Sequence, residues 1–309
     1  MKNLALPQTD LHASNIVLGL MRIADLSDQQ IRTLVDTALA EGITIFDHAD
    51  IYGGARHGCE TRFGEAVTFS PAERETVLIQ TKTGIRDGYF DFSQRHIVES
   101  AEASLKALRL DYLDILLLHR PDALVEPDEV AAAFDALHSS GKVRHFGVSN
   151  HTPGQMELLK RSVTQPLAFN QVQLSITHAP LVASGVAMNM QQLPQSTDRD
   201  NGLLDYARLH DITLQAWSPF QKQWFDGSFL GDRENFAELN DVIDELGDKY
   251  GVDGTSIAVA WITRHPANFQ VVVGSTSPQR VKDAAAGSDL PLTRQEWYRI
   301  FTAAGYTLP

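Results

Sequence analysis

Eight short runs rich in Val, Ile, Leu and Phe alternate with longer stretches of helical period, and this alternation constrains the fold more than any other feature of the chain. The runs are Ile16 to Leu20, Ile43 to Asp47, Val77 to Thr81, Leu113 to Leu118, Val143 to Val148, Ala168 to Val172, Thr213 to Ala216 and Gln270 to Val273. Several are apolar at successive positions, which demands cover on both faces of a sheet. The segments between them are patterned as helices. Ser27 and Gln30 make a capping-box pair ahead of Ile31, Leu34, Val35, Ala38 and Leu39, and Gly42 supplies a stop. Ser93 precedes Ile97, Val98, Ala101, Leu105 and Leu108, which share one helical face. Val130, Phe134 and Leu137 mark a helix ending at Gly141, and Thr152, Pro153 and Gln155 give the next its cap, first residue and capping-box partner.

Buried strands joined by helices make parallel sheets, and eight such units predict a closed (β/α)8 TIM barrel of the α/β class. The competitor is an open doubly wound sheet, whose dinucleotide fingerprint G-x-G-x-x-G occurs nowhere in the chain. The Gly53-Gly54 pair has the wrong spacing for it. Neither a repeat nor linker-like composition interrupts the pattern, and the polar stretch Met188 to Gly202 reads as an inserted loop. Residues 1–309 are therefore expected to form one barrel domain with no separate second domain, a length that such barrels reach.

Charge narrows the partners. The chain has 26 Lys plus Arg against 39 Asp plus Glu, a formal charge of −13, which disfavours nucleic acid and anionic membrane as ligands. Met1 to Asp10 contains no apolar signal region, and no apolar run approaches the roughly 20 residues of a membrane span. The single cysteine, Cys59, cannot form an intramolecular disulfide. A cytoplasmic location is the expectation.

In a barrel of this kind the site forms where strands end and the following loops begin. The predicted strand ends carry Asp47, Lys82, His119, Ser149 with Asn150, Gln171, Trp217 with Ser218, and Gly274 with Ser275; Tyr52 follows Asp47 closely. A phenol titrates near 10, and a neighbouring cation stabilises its ionised form. Lys82 is the expected cation, lowering the Tyr52 pKa. Asp47 would keep Lys82 charged and oriented, and His119 would bind a carbonyl oxygen or help Tyr52 move a proton. Such a group suits protonation of a developing alkoxide.

With these residues in view, the chain resembles the aldo-keto reductase family over essentially its whole length. The matching motifs are Phe46-Asp47-x-Ala49-x-x-Tyr52-Gly53, Thr81-Lys82-Thr83-Gly84, Leu116-Leu117-Leu118-His119-Arg120-Pro121, Gly147-Val148-Ser149-Asn150 and Asn170-Gln171-Val172-Gln173, in the family's order. The resemblance implies a reversible NADP-dependent oxidoreductase that reduces an aldehyde or ketone to an alcohol. It implies a catalytic tetrad of Asp47, Tyr52, Lys82 and His119, with Tyr52 as proton donor. It also implies nicotinamide carboxamide contacts at Ser149, Asn150 and Gln171, and an aromatic platform at Trp217 beside Ser218. The adenosine end is expected near Gly274, Ser275, Thr276 and Arg280, where Ser277 as N-cap and Pro278 as first residue open a helix N-terminus to phosphate. Arg280 as paired cation favours NADPH/NADP+ over NADH. Gly274 stands where many members carry Lys, Ala284 where Asn is frequent and His48 where Thr is common.

Blander and rival readings stand beside this one. An Asp-Lys pair such as Asp47 and Lys82 can be purely structural, and Ser149 with Asn150 can merely cap a helix, although Thr152 is the better cap and leaves the pair free for ligand. His48, Asp50, His57 and Cys59 match no usual zinc spacing, so no metal is expected; Cys59 is at most a target for adventitious oxidation. Trp224, Phe225 and Phe229 form an aromatic loop that shapes the substrate pocket, closes over the cofactor or simply packs in the core. A cofactor-binding regulatory subunit, similar to accessory barrels of channels, would bind NADPH with little turnover, which an intact tetrad argues against. A Schiff-base aldolase would need a neutral Lys82, which a neighbouring Asp47 opposes.

Overall fold

The computed structural model describes residues 1–222 and 226–309. Its strands are β1 (Asn3–Ala5), β2 (His12–Ser14), β3 (Ile16–Gly19), β4 (Ile45–Asp47), β5 (Leu78–Thr83), β6 (Leu113–Leu118), β7 (Val143–Ser149), β8 (Leu167–Gln173), β9 (Thr213–Trp217) and β10 (Gln270–Val273). The helices are α1 (Asp28–Ala40), α2 (Gly58–Ala66), α3 (Pro71–Thr76), α4 (Gln94–Leu108), α5 (Pro127–Ser139), α6 (Pro153–Leu159), α7 (Pro180–Val186), α8 (Leu203–Leu209), α9 (Ala237–Tyr250), α10 (Gly254–Thr263), α11 (Pro278–Ala286) and α12 (Arg294–Ala303). β3 to β10 pair in parallel, each with its sequence neighbour, and close when Val271, Val272 and Val273 meet Ile16, Val17 and Leu18. The predicted barrel is the observed one.

Local chemistry accounts for the boundaries. Capping boxes at Ser27 and Thr152 and the N-caps Ser93 and Ser277 all form as their sequences imply. β4 begins two residues later than the apolar run suggests, because Ile43 N bonds back to Ala38 O at 2.8 Å and belongs to the end of α1. β5 instead runs past Thr81, since its ladder to β6 continues through Lys82 with Leu117 and Thr83 with Leu118. That extension carries Lys82 to the mouth on a strand rather than on a loop. The polar stretch 188–202 holds only a 3-10 turn, Pro194–Ser196.

Two apolar layers hold the barrel. The outer one lies between strands and helices; the inner one gathers Val17, Ile45, Ile115, Leu117 and Phe169. The antiparallel hairpin β1–β2, which the strand pattern does not announce, adds Leu4, Leu6 and Ala13 to that inner layer and closes the barrel floor. Chemistry is thereby confined to the opposite end, where strands run out into loops.

Helix α2 follows the loop that carries Tyr52, and it lies close on α4. A Cβ at Gly64 would stand 2.3 Å from the Ala107 carbonyl oxygen and 2.8 Å from the Leu108 carbonyl carbon. Gly64→Ala should therefore cost about 1–3 kcal/mol of stability although Ala favours helices over Gly. Gly154→Ala in α6, where nothing lies within 4 Å of the added Cβ, should instead gain up to ~1 kcal/mol. Urea unfolding of the two variants checks the opposite signs.

Candidate active site

The tetrad assembles from three adjacent strands and one loop. Asp47 ends β4, Lys82 lies near the end of β5, His119 follows β6, and Tyr52 sits on the loop between β4 and α2. That loop is pinned at its start by His48 N to Gln80 O (2.9 Å) and Asp50 N to Lys82 O (3.0 Å), and at its end by Cys59 N to Tyr52 O (2.9 Å). Lys82 is fully buried, and its ammonium donates to Asp47 Oδ2 (2.6 Å), Asp47 Oδ1 (2.7 Å), the His48 carbonyl (2.8 Å) and Tyr52 Oη (3.3 Å). The His119 ring stands edge-on to that of Tyr52, with centroids 5.8 Å apart.

The electrostatics follow from burial among these charges. Burial alone would depress the Lys82 ammonium, but Asp47 and Tyr52 together outweigh it and hold it above its ordinary value. His119 falls well below the usual histidine value through burial, with Lys82 and Arg120 adding repulsion, so its ring is neutral. Tyr52 departs from the sequence expectation: burial raises its phenol, and Lys82 opposes that rise without reversing it. A nearby cation was expected to win, but removing the phenolate from water is the larger effect here.

Residues assigned to the cofactor shell line the next strand ends. Ser149 Oγ donates to the Gln171 carbonyl (2.8 Å), and Asn150 Nδ2 donates to Ser149 Oγ (2.8 Å) and to the His119 carbonyl (3.2 Å). Trp217 Nε1 donates to Asn150 Oδ1 (3.1 Å), and Gln171 Nε2 donates to Asp47 Oδ1 (3.0 Å). Thr152 is the cap of α6, as expected, but Ser149 and Asn150 are not left free. Asn150 adopts φ 61°, which turns its amide back toward the tetrad. Arg120 lies over Trp217, 5.8 Å from the ring centroid. Ser218, next in the chain, is half-buried with φ 53°.

Gly274, Ser275 and Thr276 lead from β10 into α11. Ser275 Oγ accepts from Ser277 N at 3.2 Å, and Ser277 Oγ accepts from Arg280 N at 3.4 Å. Arg280 is exposed, and nothing lies within 4 Å of a Cβ built on Gly274. Arg22, in the loop after β3, reaches this patch with a bond to the Gly274 carbonyl (3.3 Å) and brings a second guanidinium that no motif marks. Amide and hydroxyl groups at one end, and two arginines beside a capped helix N-terminus at the other, fit a dinucleotide bearing an extra phosphate.

The other polar residues near the Tyr52 loop lie in packed surroundings, although neither ring nitrogen of His48 has a hydrogen-bond partner. His48 is fully buried with its ring edge on Phe63 (centroids 4.7 Å), and burial lowers its pKa to about 4. His57 Nδ1 meets Glu60 Oε2 at 2.6 Å, and Glu60 also accepts from Thr81 at 2.5 Å. Cys59 is buried with Sγ 3.3 Å from the Met21 carbonyl, away from oxidants. No three His, Cys, Asp or Glu side chains among the described residues gather as a metal site. Phe229 is wholly buried in the outer layer; Trp224 and Phe225 fall outside the described residues.

Residues 15–304 match the model of the aldo/keto reductase family. The oxidoreductase YdhF of Escherichia coli strain K12 is 38% identical, over 96% of this chain and 95% of that protein. A 6-dehydroglucose reductase of Agrobacterium fabrum is 34% identical, over 95% of each. The crystal structure of an aldo/keto reductase from Klebsiella pneumoniae in complex with NADP and acetate superposes with a TM-score of 0.75 at 23% identity, covering 97% of this chain and 94% of that one. A protein named as a voltage-gated potassium channel β subunit, from Schizosaccharomyces pombe, matches more distantly at 26% over 78% of this chain and 73% of its own length. The chain belongs to the aldo/keto reductase family. It is an oxidoreductase of the carbonyl-reducing class. Among the described residues no helix is long and apolar enough to cross a membrane.

One loop carboxyl sets a pH dependence. Asp50 is buried, with Oδ2 3.1 Å from Ser100 Oγ and 3.6 Å from Arg56, while its Oδ1 has no partner. Burial, opposed by Arg56 and Ser100, raises its pKa from 3.8 to about 6. The folded state thus binds this proton more tightly than the unfolded chain, and stability falls as pH rises from about 4 through 6. Asp50→Asn should remove ~3 kcal/mol of that penalty at pH 8 and less than ~1 kcal/mol at pH 4. Denaturant unfolding at the two pH values measures the difference.

Proposed function

We propose that this chain is an NADPH-dependent carbonyl reductase that converts a small aldehyde or ketone to an alcohol, with residues 1–309 acting as one catalytic unit. The observation that carries the reading is the buried Lys82 ammonium, shared among Asp47, the His48 carbonyl and the Tyr52 hydroxyl. When bound, NADPH supplies the hydride. Tyr52 gives its proton to the substrate oxygen as charge develops there. Its raised pKa keeps it protonated beforehand, and the Lys82 donor on its oxygen stabilises the phenolate left behind. His119, neutral and edge-on to Tyr52, polarises the carbonyl without competing as the acid.

In this reading Ser149, Asn150 and Gln171 hold the nicotinamide carboxamide over Trp217 and Ser218, while Gly274, Ser275, Thr276 and Arg280 receive the adenosine end, with Arg22 beside them. Two guanidiniums near one helix N-terminus support NADPH over NADH. A reduced, buried Cys59 suits a cytoplasmic setting. Lys82 held charged speaks against Schiff-base chemistry, and the assembled tetrad speaks against a purely regulatory barrel.

Tyr52→Phe should lower kcat for NADPH-dependent aldehyde reduction by roughly 10²–10⁴-fold while NADPH still quenches tryptophan fluorescence as in the native protein. Undiminished turnover would remove Tyr52 from its role. Stoichiometric NADPH binding by native protein with no turnover across an aldehyde and ketone panel would favour the regulatory reading.

A further inference from the structure

Beneath the tetrad, buried glutamines run through the barrel as one hydrogen-bonded column. From the floor upward, Gln270 Nε2 donates to the Ser14 carbonyl (2.9 Å), and Gln270 Oε1 accepts from Gln215 Nε2 (2.9 Å). Gln215 and Gln80 exchange a pair of bonds, Nε2 to Oε1 at 3.0 Å in one direction and 2.9 Å in the other. Gln80 Nε2 then donates to Asp47 Oδ1 at 2.5 Å, and Gln171 Nε2 bonds both Gln215 Oε1 (3.1 Å) and Asp47 Oδ1 (3.0 Å). Gln80, Gln215 and Gln270 are each 0% exposed.

Barrel interiors are usually filled by branched aliphatic side chains, and a buried amide is costly unless all its groups are bonded. This column meets that condition in one orientation only. Both its ends, the Ser14 carbonyl and the Asp47 carboxylate, accept hydrogen bonds and cannot donate them. Turning Gln80 over would set its carbonyl oxygen against the carboxylate, and turning Gln270 over would set oxygen against oxygen at the floor.

Asp47 Oδ1 consequently collects donors from Gln80, Gln171 and Lys82, whereas Oδ2 has Lys82. Lys82 alone would leave the carboxylate free to swing with the ammonium; the amides fix its plane. Gln171 is assigned to the cofactor shell, but the partners of Gln80 are Asp47 and Gln215. We propose that Gln80 is a positioning residue, which aims Asp47 and through it keeps the Lys82 ammonium directed at Tyr52. The proposal rests on the tetrad reading above.

The test compares native protein with Gln80→Met, Gln80→Glu and Gln270→Met. Gln80→Met should lower kcat roughly tenfold, the worth of a hydrogen bond to a charged group, with the NADPH dissociation constant unchanged. Gln270→Met removes a similar buried amide remote from Asp47, so it should lower the unfolding temperature and leave kcat native. In Gln80→Glu the new carboxyl would face Asp47 and Lys82, with Tyr52 and His119 beyond. It can donate to Asp47 only when protonated, so activity should be retained at low pH and lost as pH rises through a limb absent from the native profile. In ¹⁵N-lysine-labelled protein without cofactor, the Lys82 ammonium resonance should broaden or shift in Gln80→Met and stay native in Gln270→Met. A native kcat and native Lys82 resonance in Gln80→Met, or equal losses of kcat from Gln80→Met and Gln270→Met, would overturn the proposal. Absence of carbonyl reduction by native protein would count against the function reading instead, and the Lys82 resonance would still decide the role of Gln80.

Discussion

The structure of the site depends on one ammonium with no access to solvent. Charge in such a place is tolerated only when the geometry of its partners is nearly complete, because an isolated buried ion costs several kcal/mol. Lys82 meets that requirement with a carboxylate, a backbone carbonyl and a phenol. Asp47 must then be held as firmly as Lys82, which the glutamine amides do from below. Tyr52 must be brought to the ammonium by its loop, which backbone bonds to β5 secure at residues 48 and 50. The extension of β5 through Thr83 and the pinned loop together bring the Lys82 ammonium and the Tyr52 hydroxyl within 3.3 Å of each other.

Much of this is legible in the amino-acid sequence alone. Eight apolar runs, their caps and their stops were enough for the barrel, because parallel strands buried on both faces have few alternatives. The strand ends named Asp47, Lys82 and His119, because the fold itself says where a site must lie. What stayed hidden depends on contacts between segments far apart in sequence. Gln80, Gln215 and Gln270 look like ordinary polar residues in apolar runs; only closure of the barrel brings them into one line. Arg22 carries no motif and is placed by the return of β3 beside β10. The direction of the Tyr52 shift could not be read from neighbours alone, since it is a contest between burial and charge whose outcome depends on depth.

The same separation applies to the acidic balance of the chain. A formal charge of −13 argues against polyanions in general, yet a dinucleotide phosphate is a polyanion. In the proposed function Arg22 and Arg280 resolve the conflict locally, beside one helix N-terminus. Global charge describes encounters with large surfaces; a small ligand responds to the field at its own pocket.

The hairpin β1–β2 adds a different kind of constraint. Leu4, Leu6 and Ala13 pack with Val17, Ile45 and Phe169, so the floor end of the barrel is filled by apolar side chains and the open end is the one at the strand ends. In the proposed function, the proton that Tyr52 gives up is then replaced from that same open end, the side the ligands would occupy. Under that proposal, restoring the acid and clearing the mouth are successive parts of one cycle, and a short sheet at the far end of the molecule sets their order.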